Sequence, residues 1–271
     1  MLIWLVLIPL IAAALIGLCK APARPTALLS ASLTLALGIW ALVSFDGCSS
    51  CWSRFEGMDL QLTLAPALSK VMLLLTILVT FATVLGTNPP QGGEASWYNS
   101  ALLISAGATG AFLSDNIISF FAFHELALIP TFVMIGLYGR GDRRTTAWRA
   151  TLYLGLASMV LLAALLMIGT QAGFTFSGLK DFMASGRELA HAELIGALLI
   201  AGFGTLISLF PFHSWAAPAY ASAPAPVAMM HAGVLKKFGL YGLFMFQPLM
   251  ETGFLPWTNI LLVLLVCNVI W

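Results

Sequence analysis

Apolar segments about twenty residues long, separated by short polar stretches, follow one another along the sequence. A helix needs about 20 mostly apolar residues to cross the hydrocarbon core of a bilayer, because each residue advances it by only about 1.5 Å. The 271-residue chain is 60% hydrophobic and 8% charged, whereas soluble domains have roughly 25% charged residues. The sequence therefore predicts an all-α, polytopic bundle of transmembrane helices in a lipid bilayer, with about eight or nine spans.

The short polar stretches between the apolar segments give the bounds of the predicted spans. They are 2–19, 26–45, 66–86, 98–114, 116–138, 147–170, 193–212 and 225–249, with a ninth beginning near residue 257. Residues 257–271 are too few for an ordinary span, so we expect the ninth helix to be truncated. Around residues 178–189, apolar side chains recur at helical spacing among balanced charges, which predicts one short helix in the membrane interface.

Positive charge predicts the orientation in the membrane, because Lys and Arg favour the cytoplasmic side. Arg140, Arg143, Arg144 and Arg149 cluster between the fifth and sixth predicted spans. We therefore expect the loop 139–146 to be cytoplasmic and, counting back, the N-terminus to be outside. The expected location is a bacterial-type inner membrane.

The net charge and the motifs that the sequence lacks argue against several classes of function. The net charge of +1, without a basic tract, argues against nucleic acid as a partner. The sequence has no glycine-rich phosphate loop, nucleophile elbow or His-Glu zinc motif, so we expect no metal site in this chain. Cys48 and Cys51 form a lone C-x-x-C in the stretch predicted to be outside, which suits either a disulfide or incidental cysteines.

Glu125 lies in the middle of the fifth predicted span, within the apolar run 120–130. A charged side chain at the bilayer centre costs roughly 2.5–3.5 kcal/mol, and such residues usually serve ion pathways. We therefore expect Glu125 to be a proton-relay group, with a structural carboxylate paired to another helix as the alternative. His124, one position away, is expected to face elsewhere and to be structural.

Pro211 lies near the end of the seventh predicted span, and Pro218 follows it in apolar surroundings. Proline removes a backbone donor, and non-helical backbone inside a membrane is tolerated only where it is buried in protein or lines a cavity. The sequence therefore predicts a broken seventh helix, a feature that accompanies ion sites in transporters.

Four further titratable side chains are candidate proton-relay groups. His213 follows the break, and His231, Lys236 and Lys237 lie in the eighth predicted span. Desolvated lysine and ordinary histidine both titrate near neutrality, although a hydrogen-bonded core histidine is an equal alternative for each His. Since neighbouring helical positions lie about 100° apart, the two lysines cannot point along one line.

Together these motifs resemble the antiporter-like membrane subunits of respiratory complex I, of the subunit M type. The matching stretches are residues 121–130, 202–215 and 223–243. On this resemblance, Glu125 is the fifth-helix glutamate and Lys237 is the eighth-helix lysine that precedes the Tyr-Gly pair. His213 is the histidine of the Pro-x-His-x-Trp segment.

The resemblance implies a membrane-arm subunit of an NADH-quinone oxidoreductase that takes part in proton translocation coupled to quinone reduction. Its partners would be the other membrane subunits of a respiratory complex. No redox chemistry is expected in this chain, since NADH, FMN, iron-sulfur clusters and quinone would belong to partner subunits. The alternatives are a Mrp-type cation/proton antiporter, a membrane-bound hydrogenase arm and a truncated, non-pumping structural remnant. Whether the ion is H⁺ or Na⁺ stays open.

The sequence departs from the family pattern at two positions. Leu206 stands where the family has a lysine that pairs with the fifth-helix glutamate, and Ala219 follows Pro218 where the family has an aspartate. Without the lysine, Glu125 needs another partner to switch its protonation. The expected substitutes are Lys236, Lys237, His231 or water.

The chain is also short for the family, whose members contain two inverted five-helix repeats. The predicted organisation of the single transmembrane domain, residues 1–271, has three parts. They are N-terminal helices in 1–97, the first five-helix repeat in 98–249, and the start of a truncated further helix in 250–271.

Overall fold

The computed structural model describes residues 1–44, 49–55, 58–64, 66–89, 92–251 and 257–270, and gives the backbone alone for 49–55, 58–60, 250 and 251. The first six helices are α1 (Ile3–Gly17), α2 (Ala23–Ser44), α3 (Ala67–Gly86), α4 (Glu94–Leu113), α5 (Ile117–Tyr138) and α6 (Arg143–Ala172). Cys48 lies outside the described residues and the side chain of Cys51 is not described, so their pairing stays a prediction.

The second half of the chain has shorter helices. They are α7 (Phe176–Ala184), α8 (Ala192–Leu206), α9 (Ala216–Ser222), α10 (Ala225–Met230), α11 (Lys236–Met245), α12 (Gln247–Glu251) and α13 (Trp257–Ile270). A π-helical turn, His231–Leu235, joins α10 to α11. The first six predicted spans match α1 to α6 to within about four residues, a normal margin for helix ends. The eighth was predicted as one helix and is instead α10, the π turn and α11.

Four helices, α2, α3, α5 and α6, are long and apolar enough to cross a membrane by their length and composition. Helices α1, α8 and α13 are apolar but shorter. These helices confirm the prediction of a helical membrane bundle. The count of eight or nine spans and the division into repeats stay predictions.

Helix α4 lies at the centre of the bundle and packs against α1, α3 and α5. Its glycines let α5 come close: a Cβ on Gly107 would lie 2.6 Å from the Phe123 carbonyl oxygen, and one on Gly110 would lie 2.5 Å from the Phe123 ring. Both distances are shorter than any van der Waals contact. Small residues on α4 therefore determine where α5, the helix that carries Glu125, packs.

A β-hairpin joins α2 to α3, where the sequence predicted a connecting loop in an all-α fold. Strands β1 (Ser49–Phe55) and β2 (Met58–Thr63) pair antiparallel. Apolar and polar residues alternate through β2, and Leu62 and Leu64 are fully buried. The Asp115 amide donates to the Gln61 carbonyl at 2.9 Å. The hairpin is therefore anchored at the junction of α4 and α5.

The predicted break in the seventh span is confirmed. Helix α8 ends at Leu206, and the non-helical segment 207–215, named here the α8–α9 break, leads into α9. Pro211 lies within the break, but Pro218 does not. Pro218 occupies the first turn of α9, where a missing backbone donor costs no helical hydrogen bond.

The predicted interfacial helix corresponds to α7, which begins and ends a few residues earlier than expected. Its buried side chains are Phe176 and Leu179. The Thr175 hydroxyl accepts a hydrogen bond from the Gly178 amide at 3.0 Å and caps the helix. Its place in the membrane interface stays a prediction.

Candidate ion-pathway site

The position of Glu125 is determined by where α5 begins. The side-chain oxygen of Asn116 accepts hydrogen bonds from the amides of Ile118 at 2.9 Å and Ser119 at 3.1 Å, which caps the helix. Glu125 follows Asn116 by nine residues, about 13 Å along the axis at 1.5 Å per residue. The cap therefore places the carboxylate well inside the apolar part of the bundle.

The Glu125 side chain is about one-third exposed, at 32%. It lies between α5 and α6, and the fully buried hydroxyl of Ser158 on α6 is beside the carboxylate. Nδ1 of His124 lies 3.2 Å from Oε1 of Glu125, and the His124 side chain is only 1% exposed. The expectation that His124 faces elsewhere is therefore wrong, because its ring turns back along the helix toward its neighbour.

Glu125 opens into a cavity of about 150 Å³ between α5 and α6, named here the Glu125 cavity. The π turn contributes His231 to the wall of this cavity, so two of the predicted relay residues line the same space. Thr131 and Thr151 add hydroxyl groups to its wall, and the other lining residues are apolar apart from the backbone. At roughly 30 Å³ of liquid volume per molecule, the cavity has room for several waters.

His231 connects the cavity to a polar cluster on its far side. Nδ1 of His231 lies 3.2 Å from the Tyr220 hydroxyl, within hydrogen-bonding distance. Nζ of Lys236 lies 4.8 Å from the centre of the Tyr220 ring and 5.9 Å from that of Trp215, so both rings contact the ammonium through their faces. Nε2 of His231 is buried and makes no hydrogen bond within the described part of the chain. A π turn often marks a functional site in a helix.

The α8–α9 break presents a different environment. Two hydrogen bonds join this segment to the last turn of α8. Nε1 of Trp215 donates to the Thr205 carbonyl at 3.1 Å, and the Leu209 amide donates to the Gly204 carbonyl at 2.7 Å. The ring of His213 stacks on Phe210 with 5.6 Å between centres and does not line the Glu125 cavity.

The structure thus brings Glu125 and His231 to one cavity and places Lys236 on the Tyr220 ring beside His231, whereas His213 and Lys237 lie elsewhere. Lys237 is half-buried on α11 and does not line the cavity. Among the residues that the structure describes, no three His, Cys, Asp or Glu side chains converge as a metal site requires.

Tyr220 and Ser158 belong to the site, and no pattern in the sequence distinguished them from their neighbours. Tyr220 precedes His231 by eleven residues in a proline-rich stretch, and Ser158 is one of several hydroxyls in an apolar helix. Asp115 was also missed. Its carboxylate accepts hydrogen bonds from the Ser177 hydroxyl at 2.7 Å and the Ser177 amide at 3.3 Å, which ties the start of α5 to α7. The Asp115-Asn116 pair before an apolar run is the pattern that indicates such a junction.

Known proteins resemble this chain in both sequence and fold. The family model described as "NADH:quinone oxidoreductase/Mrp antiporter, TM" matches residues 114–270. The NAD(P)H-quinone oxidoreductase chain 4 2 of Microcystis aeruginosa is 32% identical over 211 residues, which is 75% of this chain and 37% of the relative. The chain 4 1 of Picosynechococcus sp. is 30% identical over 227 residues, 81% of this chain and 41% of the relative. The chain therefore spans about two-fifths of the length of these relatives.

Two solved structures have the same fold. Respiratory complex I from Thermus thermophilus contains a chain with a TM-score of 0.80 and 26% identity, covering 94% of this chain and 54% of that one. The Mrp complex from Dietzia sp. contains one with a TM-score of 0.76 and 22% identity, covering 90% of this chain and 47% of that one. The resemblance found in the sequence motifs is confirmed, and the chain belongs to the NADH:quinone oxidoreductase/Mrp antiporter transmembrane family.

Proposed function

We propose that this chain works in the membrane arm of an NADH-quinone oxidoreductase of the complex I type and takes part in proton translocation coupled to quinone reduction. The observation that carries the proposal is the Glu125 cavity, which Glu125 and His231 both line inside the family-matched region. Buried ionisable groups within membrane-spanning segments are costly, and proton relays are a main reason for their presence.

The geometry supports a specific order of events. A proton on Glu125 passes through cavity water to Nε2 of His231. His231 then carries a positive charge, and its Nδ1–H donates a hydrogen bond to the Tyr220 hydroxyl oxygen. The nearby ammonium of Lys236 repels that charge and favours its release. Lys236 is thus the electrostatic element of the relay, and we place Lys237 and His213 outside its central step.

The partners in this proposal are the other membrane subunits of a multisubunit respiratory complex. NADH, FMN, the iron-sulfur clusters and quinone belong to those partner subunits. We further propose eight or nine spans in a bacterial-type inner membrane, with residues 98–249 as one five-helix repeat. The loop 139–146 would be cytoplasmic and the N-terminus outside, as the exposed arginines Arg140, Arg143 and Arg144 suggest.

The test replaces Glu125 by Gln in the assembled complex. Proton pumping and quinone reduction are measured together in proteoliposomes. Because a positioned proton-transfer group contributes about a hundredfold or more, we expect pumping to fall by at least about tenfold in E125Q with assembly unchanged. E188Q is the matched control, since Glu188 is exposed and distant in sequence from the site. Undiminished pumping in E125Q would favour a structural, non-pumping subunit.

A second candidate function is cation/proton antiport in a Mrp-type complex or a related membrane-bound arm. The family description includes Mrp antiporters, and the Dietzia Mrp complex has the same fold. A membrane-bound sulfane sulfur reductase, an archaeal respiratory membrane complex, also matches with a TM-score of 0.76. The neighbouring genes separate these alternatives: genes for redox subunits favour the respiratory complex, and genes for small antiporter subunits favour Mrp.

A further inference from the structure

Leu206 and Glu125 lie at nearly the same depth in the bundle. Helices α5 and α8 begin at the same end, because Gln171, at the end of α6, bonds to the Ala190 amide at 2.7 Å, while the Phe174 carbonyl bonds to the Ile117 amide at 2.8 Å.

The contact between Phe120 on α5 and Phe203 on α8, whose ring centres are 6.3 Å apart, relates the levels of the two helices. Glu125 follows Phe120 by five residues and Leu206 follows Phe203 by three, so their levels differ by only about 3 Å. Leu206 is 3% exposed and apolar. The α8 position level with Glu125 therefore offers the carboxylate no charge.

The partner that the structure gives Glu125 is on its own helix. Nδ1 of His124 lies 3.2 Å from Oε1. Within the described part of the chain, neither ring nitrogen of His124 has the geometry of a hydrogen bond, so the 3.2 Å contact with Glu125 is an ion-pair distance without a formed hydrogen bond. The ring is held edge-on against Phe238 of α11, with 5.0 Å between centres and an angle of 89°. The Glu125 carboxylate is the charged group that the structure places within 4 Å of this buried imidazole.

The other titratable groups around the site are already engaged or lie across the cavity. Lys236 rests on the Tyr220 and Trp215 rings. His231 lines the Glu125 cavity, and its Nδ1 lies 3.2 Å from the Tyr220 hydroxyl. Ser158 of α6 offers a hydroxyl, which carries no charge. His124 is thus the group positioned to stabilise the ionised carboxylate directly.

We infer that His124 replaces the cationic partner that position 206 lacks, and that it acts as the positioning residue for Glu125. Because the two residues are adjacent on α5, their pairing does not depend on the distance between two helices. It depends on the orientation of the His124 ring, which Phe238 restrains. Phe238 in turn stacks on Phe112 of α4, with 4.9 Å between ring centres. A displacement of α11 would therefore move the His124 ring and change its contact with Glu125.

This inference rests on the proposed function, and its test separates the two. H124F keeps the edge contact with Phe238 and removes both nitrogens, whereas H124N keeps a polar group that cannot become a cation. F121L is the matched control, since Phe121 lies one turn away, 6.3 Å from the His124 ring. Each variant is prepared in the assembled complex. Two quantities are measured: protons pumped per quinone reduced, and the rate at which a hydrophobic carbodiimide labels Glu125.

Carbodiimides react with protonated carboxyl groups, so labelling reports the state of Glu125 without depending on turnover. We expect pumping to fall by about tenfold in H124F and H124N, and labelling to become faster by about the same factor, because the ionised carboxylate loses its stabilising partner. In H124F/L206K, a lysine level with Glu125 should return both quantities to within about twofold of the wild type. F121L should change neither.

Wild-type pumping and labelling in H124F or H124N, with E125Q inactive, would overturn the inference and leave the proposed function intact. Loss of pumping without faster labelling would also overturn it, since that result indicates a packing role. Wild-type pumping in E125Q would overturn the proposed function itself. If H124F fails to assemble, H124N decides by the same two measurements.

Discussion

The α8–α9 break and the π turn both interrupt apolar helices, but only the π turn contributes a side chain to the Glu125 cavity. In the break, the Trp215 indole and the Leu209 amide donate to the Thr205 and Gly204 carbonyls, and the buried Ser208 hydroxyl makes no hydrogen bond among the described residues. In the π turn, Nε2 of His231 is likewise buried without a hydrogen bond among the described residues, and His231 lines the Glu125 cavity. An interrupted helix therefore does not by itself mark an ion site. A titratable side chain that lines a cavity with a carboxylate does.

The difference extends to charge. Leu206, at the end of α8, is buried beside Gly239 of α11, where a Cβ on Gly239 would lie 3.0 Å from the Leu206 Cβ. On the other side, Lys236 begins α11 directly after the π turn. The charge that the family motif puts on α8 is absent at position 206, while the π turn contributes His231 to the Glu125 cavity and Lys236 follows it on α11.

The largest expected effect compares the two histidines. H231Q should lower proton pumping by about tenfold or more, because it removes the proton acceptor on the wall of the Glu125 cavity. H213Q should lower pumping less than about twofold, since His213 stacks on Phe210 away from the cavity. Both are measured against quinone reduction in the assembled complex. A larger loss of pumping in H213Q than in H231Q would indicate that the proton path runs through the α8–α9 break.

The next effect concerns packing behind Leu206. A Cβ on Gly239 would lie 2.7 Å from the Phe203 carbonyl oxygen, so G239A must push α8 and α11 apart. Overpacking of this kind costs about 1–3 kcal/mol. We expect less assembled complex and a lower midpoint of thermal unfolding.

G155A is the control for this packing prediction, because a Cβ on Gly155 meets nothing within 4 Å. It should be neutral or slightly stabilising, since alanine is favoured over glycine in a helix by about 1 kcal/mol. If G239A and G155A unfold at the same temperature, Gly239 of α11 does not pack closely against the Phe203 carbonyl of α8.

The smallest effect separates the hydroxyls of two tyrosines. Y220F removes the hydroxyl 3.2 Å from Nδ1 of His231, and a lost hydrogen bond is worth about 1 kcal/mol, a factor of about five in an equilibrium. Pumping should therefore fall by about fivefold or less. Y153F removes a hydroxyl that pairs at 3.0 Å with Ser214 in the break, and pumping should not change. Equal losses in both variants would erase the distinction between the two regions.

Several features of the fold were predictable because they depend on composition along the chain. The bounds of α3, α5 and α6 follow from apolar length between polar stretches, and the α8–α9 break follows from Pro211. The π turn and the β-hairpin were not predicted. A π turn has the same residue types as the helix around it, and the hairpin alternation is short and lies between two much stronger helical patterns.

The candidate site shows the same division. Glu125, His231 and Lys236 stand out as polar residues in apolar surroundings; the structure places the first two in one cavity and the third on the Tyr220 ring next to His231. His124 also stood in the sequence, but the 100° step between adjacent helical positions argued against its contact with Glu125. That argument applies to Cβ directions. Both side chains are long enough to turn toward each other once Phe238 closes off the other side.

The sequence by itself determined that this protein is a membrane helix bundle with a carboxylate inside an apolar span and an interrupted seventh span, because hydrophobic length and proline are properties of the linear chain. Only the tertiary structure decided what surrounds Glu125. His124 lies 3.2 Å from its carboxylate, His231 lines the same cavity, and Leu206 lies at a similar level in the bundle, although these residues are 1, 106 and 81 positions from it in the sequence. Their positions depend on how α5, α6, α8 and the π turn pack, and on which rotamer each side chain can adopt there.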